Sequence, residues 1–142
     1  MPHNLTFSAL HLYNSGEPGI ALPVRLSKGA DGVDLIAHLD TGASCCIFQR
    51  NYADSLDIDV ETGEKTKFGT ASGYFIAYGH EVSIIALDLE FQATAYFAED
   101  YDFTRNVLGR QGWLNRVRLG LVDYEGKLYV VITTSIPNQS EG

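Results

Sequence analysis

The chain has 142 residues, 45% hydrophobic and 11% aromatic, which fits one domain with its own core and excludes general disorder. It carries 10 basic and 18 acidic side chains, a net charge of -8, and such a surface repels phosphate backbones, so no nucleic acid partner is expected. No apolar run approaches the roughly 20 residues of a membrane helix, so no membrane partner is expected either.

The chain opens Met1-Pro2-His3-Asn4-Leu5, without the basic patch and apolar stretch of a signal peptide. Short apolar runs rich in Val, Ile, Leu, Tyr and Phe then follow at 5–12, 20–26, 33–39, 74–78, 82–89, 91–97, 117–122 and 128–133. Each has strand length and composition. Residues 21–26 alternate cleanly, with Leu22, Val24 and Leu26 on one face. Turn clusters separate the runs, at Asn14–Gly19, Lys28–Gly32, Thr62–Glu64 and Glu125-Gly126. Helix signals are few. One or two turns are predicted at 52–56, and a second short helix at 111–117, where Trp113, Leu114 and Val117 share a face and Gly112 weakens the pattern. The predicted fold class is all-β, a sandwich or barrel with one or two short helices. Residues 1–134 read as a single domain and residues 135–142 as a loose polar tail.

The two cysteines, Cys45 and Cys46, are adjacent. Neighbours rarely satisfy disulfide geometry, so a reducing, cytoplasmic setting is expected, with both as small core residues on a strand. His3, His11, His38 and His80 lack metal-ligand spacing, so neither a metal nor a cofactor is expected.

The informative stretch runs from Ile36 to Phe48. An apolar strand leads straight into Asp40, followed by Thr41, Gly42, Ala43 and Ser44, and the chain then turns apolar again. A carboxylate in an apolar run is costly unless backbone or hydroxyl donors hold it. A plain turn, with Asp40 bonding nearby backbone, would use the same residues. A second segment, Val107-Leu108-Gly109-Arg110, again ends an apolar pair in glycine before the predicted helix at 111–117. Between the two lies Gly69-Thr70-Ala71-Ser72-Gly73, flanked by Phe68, Tyr74 and Phe75, which reads as the mobile tip of a β-hairpin.

With these three elements in this order, the sequence resembles the retropepsin-like aspartic proteases, the single-domain, retroviral-type members of the pepsin clan. The likeness rests on Leu39-Asp40-Thr41-Gly42-Ala43-Ser44 and Val107-Leu108-Gly109-Arg110, and spans roughly residues 20–131. It implies a closed acid-protease barrel, a catalytic Asp40, an active-site loop of Thr41, Gly42, Ala43 and Ser44, and a flap at Gly69–Gly73. The family's chemistry needs two carboxylates. Only one Asp-Thr-Gly is present, and Asp88, Asp100, Asp102 and Asp123 are not followed by Thr-Gly. The implied partner is therefore the chain itself, in a symmetric homodimer acting on extended polypeptide, with Thr41 bonding across the dimer. Ala43 stands where the two-domain pepsin type has Ser, which implies activity at less acidic pH.

Two features depart from the viral pattern. Ser44 replaces the second acid that pairs with the arginine after the later glycine, so no partner is assigned to Arg110. The chain also continues into a hairpin at 117–133, as in cellular and bacterial retropepsin-like domains. His38, two residues before Asp40, is expected on the same strand face. An alternative within the same fold is a non-catalytic peptide-binding or dimerisation module.

Overall fold

A computed structural model describes residues 1–133. The strands are β1 (Ala9–Leu12), β2 (Ile20–Lys28), β3 (Asp31–Leu39), β4 (Cys46–Phe48), β5 (Glu64–Thr70), β6 (Gly73–Ala86), β7 (Leu89–Ala98), β8 (Val107–Leu108), β9 (Val117–Val122) and β10 (Lys127–Ile132). One α-helix, α1 (Arg50–Ser55), follows β4. Thr134 and the predicted tail at 135–142 lie outside the described residues.

Six strands close into a barrel in the order β2-β3-β8-β4-β7-β6, shut by antiparallel pairing of β6 back onto β2 at Arg25↔Ile85, Leu26↔Ile84 and Ser27↔Ser83. Closure removes the exposed edges that an open sheet would leave. Pro23 has no N–H to give a ladder. It sits on β2 before the pairing with β6 begins, where one edge is open. The alternation read from residues 21–26 sets the inner face: Leu22, Val24 and Leu26 are buried while Ala21, Pro23 and Arg25 are exposed. Val82, Ile84, Phe91, Ala95 and Phe97 fill the same core from β6 and β7. A second sheet, β1-β10-β9, adds Leu128 and Val130, both fully buried.

The structure places the short helix predicted at 52–56 at Arg50–Ser55, and other elements also differ from the runs in the sequence. The run at 5–12 is strand only from Ala9. The runs at 74–78 and 82–89 join, as the continuous strand expected over 76–85 after the hairpin tip requires, into one 14-residue strand, because β7 pairs without a break from Ala77 to Ala86. The expected helix at 111–117 is a 3₁₀ turn, Leu114–Arg116. Gly112 takes φ +103°, outside the helical region, and Trp113 turns fully into the core. Finally, β5 was not marked by any apolar run. It projects from the barrel as the outer half of a hairpin with β6, and its residues alternate only weakly between exposed and half-buried.

Candidate active-site cleft

Parallel pairing of β3 with β8, His38↔Val107 and Leu39↔Leu108, brings the two glycine-ended segments side by side. The pairing runs one residue past the strand, since the Asp40 N–H donates to the Leu108 carbonyl at 3.0 Å. That bond fixes where Asp40 stands. The chain then turns, with the Ala43 N–H donating to the Asp40 carbonyl at 3.2 Å and the Gly42 N–H to Asp40 Oδ1 at 2.9 Å. This is the side-chain-to-backbone turn that Asp favours, so the turn reading of Asp40 is realised. It occupies one carboxylate oxygen. The other, Oδ2, lies 3.4 Å from Arg105 Nη2 in the cleft, and the Asp40 side chain keeps 34% exposure. Thr41, Gly42 and Ser44 are exposed and Ala43 is half-buried.

The second segment passes directly behind this turn. The Arg110 N–H donates to the Ala43 carbonyl at 2.9 Å and the Gln111 N–H to the Ser44 carbonyl at 2.9 Å. A Cβ on Gly109 would lie 2.1 Å from the Cys45 carbonyl oxygen, so the crossing needs a residue without a side chain. Val107, Leu108 and Gly109 are buried, whereas Arg110 is exposed and joins no ion pair among the described residues.

Above the turn, the β5–β6 hairpin closes at Thr70↔Gly73 with Ala71-Ser72 as its tip. Between tip and turn lies a cavity of about 310 Å³. Its floor is Asp40, Gly42, Ala43 and Ser44, with Ile47 and Val107 behind them. Its roof is Phe68, Gly69, Thr70, Ala71 and Phe75, and its side is Phe103 and Arg105. An aromatic row holds the roof in place. Phe68 lies 5.3 Å from Tyr96 and 5.4 Å from Phe75, and Phe75 lies 4.7 Å from Phe103, between ring centroids. Of the predicted hairpin-tip residues, Ser72 and Gly73 do not line the cavity. Tyr74 does not either. Successive residues on a strand point to opposite faces, and Tyr74 lies outside, 61% exposed beneath the Lys67 ammonium.

The loop between β7 and β8 carries Phe103 and Arg105, which no motif in the sequence marks. A network anchors that loop. The Asn106 side chain accepts from the Gln49 N–H at 2.9 Å and donates to Gln49 Oε1 at 3.0 Å. Arg50 on α1 donates to the Glu99 carbonyl at 3.0 Å and grips Glu61 with two bonds, at 2.6 and 2.8 Å. The hydrogen bonds from Arg50 hold the Glu61 carboxyl below its ordinary range. The Tyr101 hydroxyl donates to Asp54 of α1 at 2.7 Å.

His38 does not share the cleft with Asp40. β3 ends at Leu39, the chain turns at Asp40, and His38 lines a separate hollow with Ile36 and Pro23. Cys46 is a buried core residue of β4, its thiol pushed up to about 12 by burial, while Cys45 is half-buried beside Gln111. Among the described residues, no group of three or more His, Cys, Asp or Glu side chains converges as a metal site.

No protein-family model matches the sequence, and no curated protein matches it. Among solved structures, the chain is similar to the EIAV protease complexed with the inhibitor HBY-793. The TM-score is 0.52 at 22% identity, covering 66% of this chain and 84% of that one. At that identity the likeness is one of fold, and the fold is the closed, retropepsin-like barrel of a retroviral protease.

Proposed function

We propose that this chain is an aspartic endopeptidase that works as a symmetric homodimer, with Asp40 of two copies activating one water. The observation that carries the reading is the position of Asp40, at the floor of a hairpin-roofed cleft on a retroviral-protease fold. The register places Gly109 beside it, one residue past Leu108, so the chain's own second segment offers no carboxylate there. The second carboxylate then comes from a second copy.

Two carboxylates about 3 Å apart cannot easily both ionise, so they share a proton and titrate as a unit. The ionised oxygen takes a proton from water, and the resulting hydroxide attacks the peptide carbonyl. The protonated carboxyl donates to the oxygen as it gains charge, and a proton then passes to the leaving amine. Gly42 holds Oδ1 through its N–H, which fixes the plane of the carboxylate. The substrate is an extended polypeptide lying as a strand between roof and floor. The chemistry is carried by side chains and water, without metal or cofactor.

The catalytic unit is a single domain over residues 1–134. The adjacent free cysteines favour a reducing, cytoplasmic setting. Among the described residues no helix is long and apolar enough to cross a membrane.

Sedimentation across a concentration series, beside a peptide-library cleavage assay with Asp40→Ala as control, tests the reading. A dimer that cuts peptides only with Asp40 intact is expected. A monomeric, inactive protein at high concentration overturns it. A dimer that binds peptides, cuts none, and is indifferent to Asp40→Asn is the non-catalytic module instead.

A further inference from the structure

We infer that Arg105 is a specificity-determining residue, which selects peptides carrying a carboxylate side chain beside the scissile bond. The inference rests on the endopeptidase reading for the position of that bond. Its own ground is the composition of the cleft.

Among the described residues that line the cavity, Arg105 is the one cation. The apolar part of the wall around it is formed by Ile47, Val107, Phe68, Phe75 and Phe103. A peptide lying across the cleft would displace water from around the guanidinium, which strengthens its pairing with a carboxylate. Among the described residues the Arg105 side chain makes a single bond, to Asp40 Oδ2 at 3.4 Å, and it is 67% exposed. A guanidinium has five N–H donors in a planar fork suited to two-point pairing with a carboxylate. One long bond leaves most of that capacity unspent.

The backbone beneath Arg105 is held while the side chain is not. Asn106 is pinned to Gln49, and Phe103 packs on Phe75 of the roof. Arg105 thus extends from a fixed base, within reach of Asp40, to where a peptide in the cleft would lie. A carboxylate on the residue next to the cleaved bond would meet it there, while apolar side chains take the Phe-lined walls. In the two-copy site a second Asp40 and a shared proton would leave each Arg105 facing less than one full negative charge. The chain's net charge of -8 gives acidic peptides no long-range attraction, so any preference for them is local.

The test measures cleavage of peptide pairs differing only by Glu or Gln at each position flanking the bond, with wild-type, Arg105→Gln and Arg105→Glu proteins. Binding of the same peptides is measured to Asp40→Asn and to Asp40→Asn/Arg105→Gln. Wild type should favour Glu at one flanking position by about tenfold in kcat/KM, the scale of a charge-assisted pair. Arg105→Gln should abolish that preference and Arg105→Glu should reverse it in favour of the Gln peptide. Thermal melts check that the variants fold. A preference that survives both substitutions, or its absence in wild type, overturns the inference and leaves the endopeptidase reading standing. A uniform fall for Glu and Gln peptides also overturns it, since Arg105 would then act only through Asp40. If wild type cuts nothing, the endopeptidase reading fails alone when the binding arm still shows Arg105-dependent selection of Glu. Both fail when it shows none.

Discussion

The two glycine-ended segments begin alike and end differently. Each is a short apolar strand followed by a turn, and they lie side by side in parallel register. The first, through Asp40-Thr41-Gly42, opens onto the cleft and leaves a carboxylate oxygen in it. The second, through Leu108-Gly109-Arg110, is packed so tightly behind the first that a Cβ on Gly109 would meet the Cys45 carbonyl. One segment presents a carboxylate and tolerates polar atoms because it faces the cavity. The other carries the crossing and tolerates no side chain at all. The pair shows how one chain of this fold can set a single carboxylate in a cleft and spend the matching segment on support.

If that division of labour holds, substitutions in the two segments should separate activity from stability. The largest effect is expected from Asp40→Asn, with cleavage falling at least ~10³-fold, the upper range for loss of a general acid or base. Its melting temperature should hardly move. Asn still accepts from the Gly42 N–H, and the exposed pair with Arg105 is worth no more than about 1 kcal/mol. Comparable losses of activity and stability would mean that Asp40 is a structural turn residue.

Behind the crossing the order reverses. Trp113 is fully buried, and Trp113→Ala should cost about 3–5 kcal/mol, read as a lower urea midpoint. Gly109→Ala should cost roughly 3 kcal/mol, because seating a methyl group forces the backbones apart and strains the Arg110–Ala43 and Gln111–Ser44 bonds. A Gly109→Ala protein of wild-type stability would show that the crossing has room for a methyl group.

The first segment was easier to read than its surroundings. Asp40-Thr41-Gly42 stands out because a carboxylate and a glycine interrupt an apolar run, and Val107-Leu108-Gly109 stands out the same way. The barrel strands β2, β3 and β7 were legible because each has one buried face. β5 was not, since it projects from the barrel and buries little on either face. The spacing of Trp113, Leu114 and Val117 imitates a helix, and only the φ of Gly112 decides against it. Arg105 was invisible for another reason. It lies 65 residues from Asp40 in sequence, and only the β3–β8 pairing brings them together. Its two-residue offset from Val107 was the available signal, since that spacing places both on one side of an extended chain.

The roof offers a finer test of the open side. Phe75→Ala removes the ring between Phe68 and Phe103 and should lower kcat/KM about tenfold, the scale of lost aromatic packing plus apolar contact. Tyr74→Ala, one residue away on the outer face, should change stability by no more than ~0.5 kcal/mol and leave cleavage near wild type. Equal losses from the two would mean that the hairpin's inner face does not hold substrate.

The smallest effect comes from the clamp behind the Arg105 loop, and it depends on pH. Arg50 lowers the Glu61 carboxyl below its ordinary 4.5 in the folded chain. The unfolded chain therefore binds that proton first as pH falls. A group depressed in this way contributes stability above its unfolded value and loses it as pH drops through the lower folded value. Glu61→Gln should therefore melt below wild type at neutral pH, with the gap narrowing once pH passes below about 4.5. Thermal melts of both proteins through that range read the gap directly. A constant gap would assign Glu61 a packing role, leaving the loop to Asn106 and Phe103. A closing gap would mean that acid loosens the support of Arg105 on the open side while Gly109 and Trp113, with nothing to titrate, hold the crossing as before.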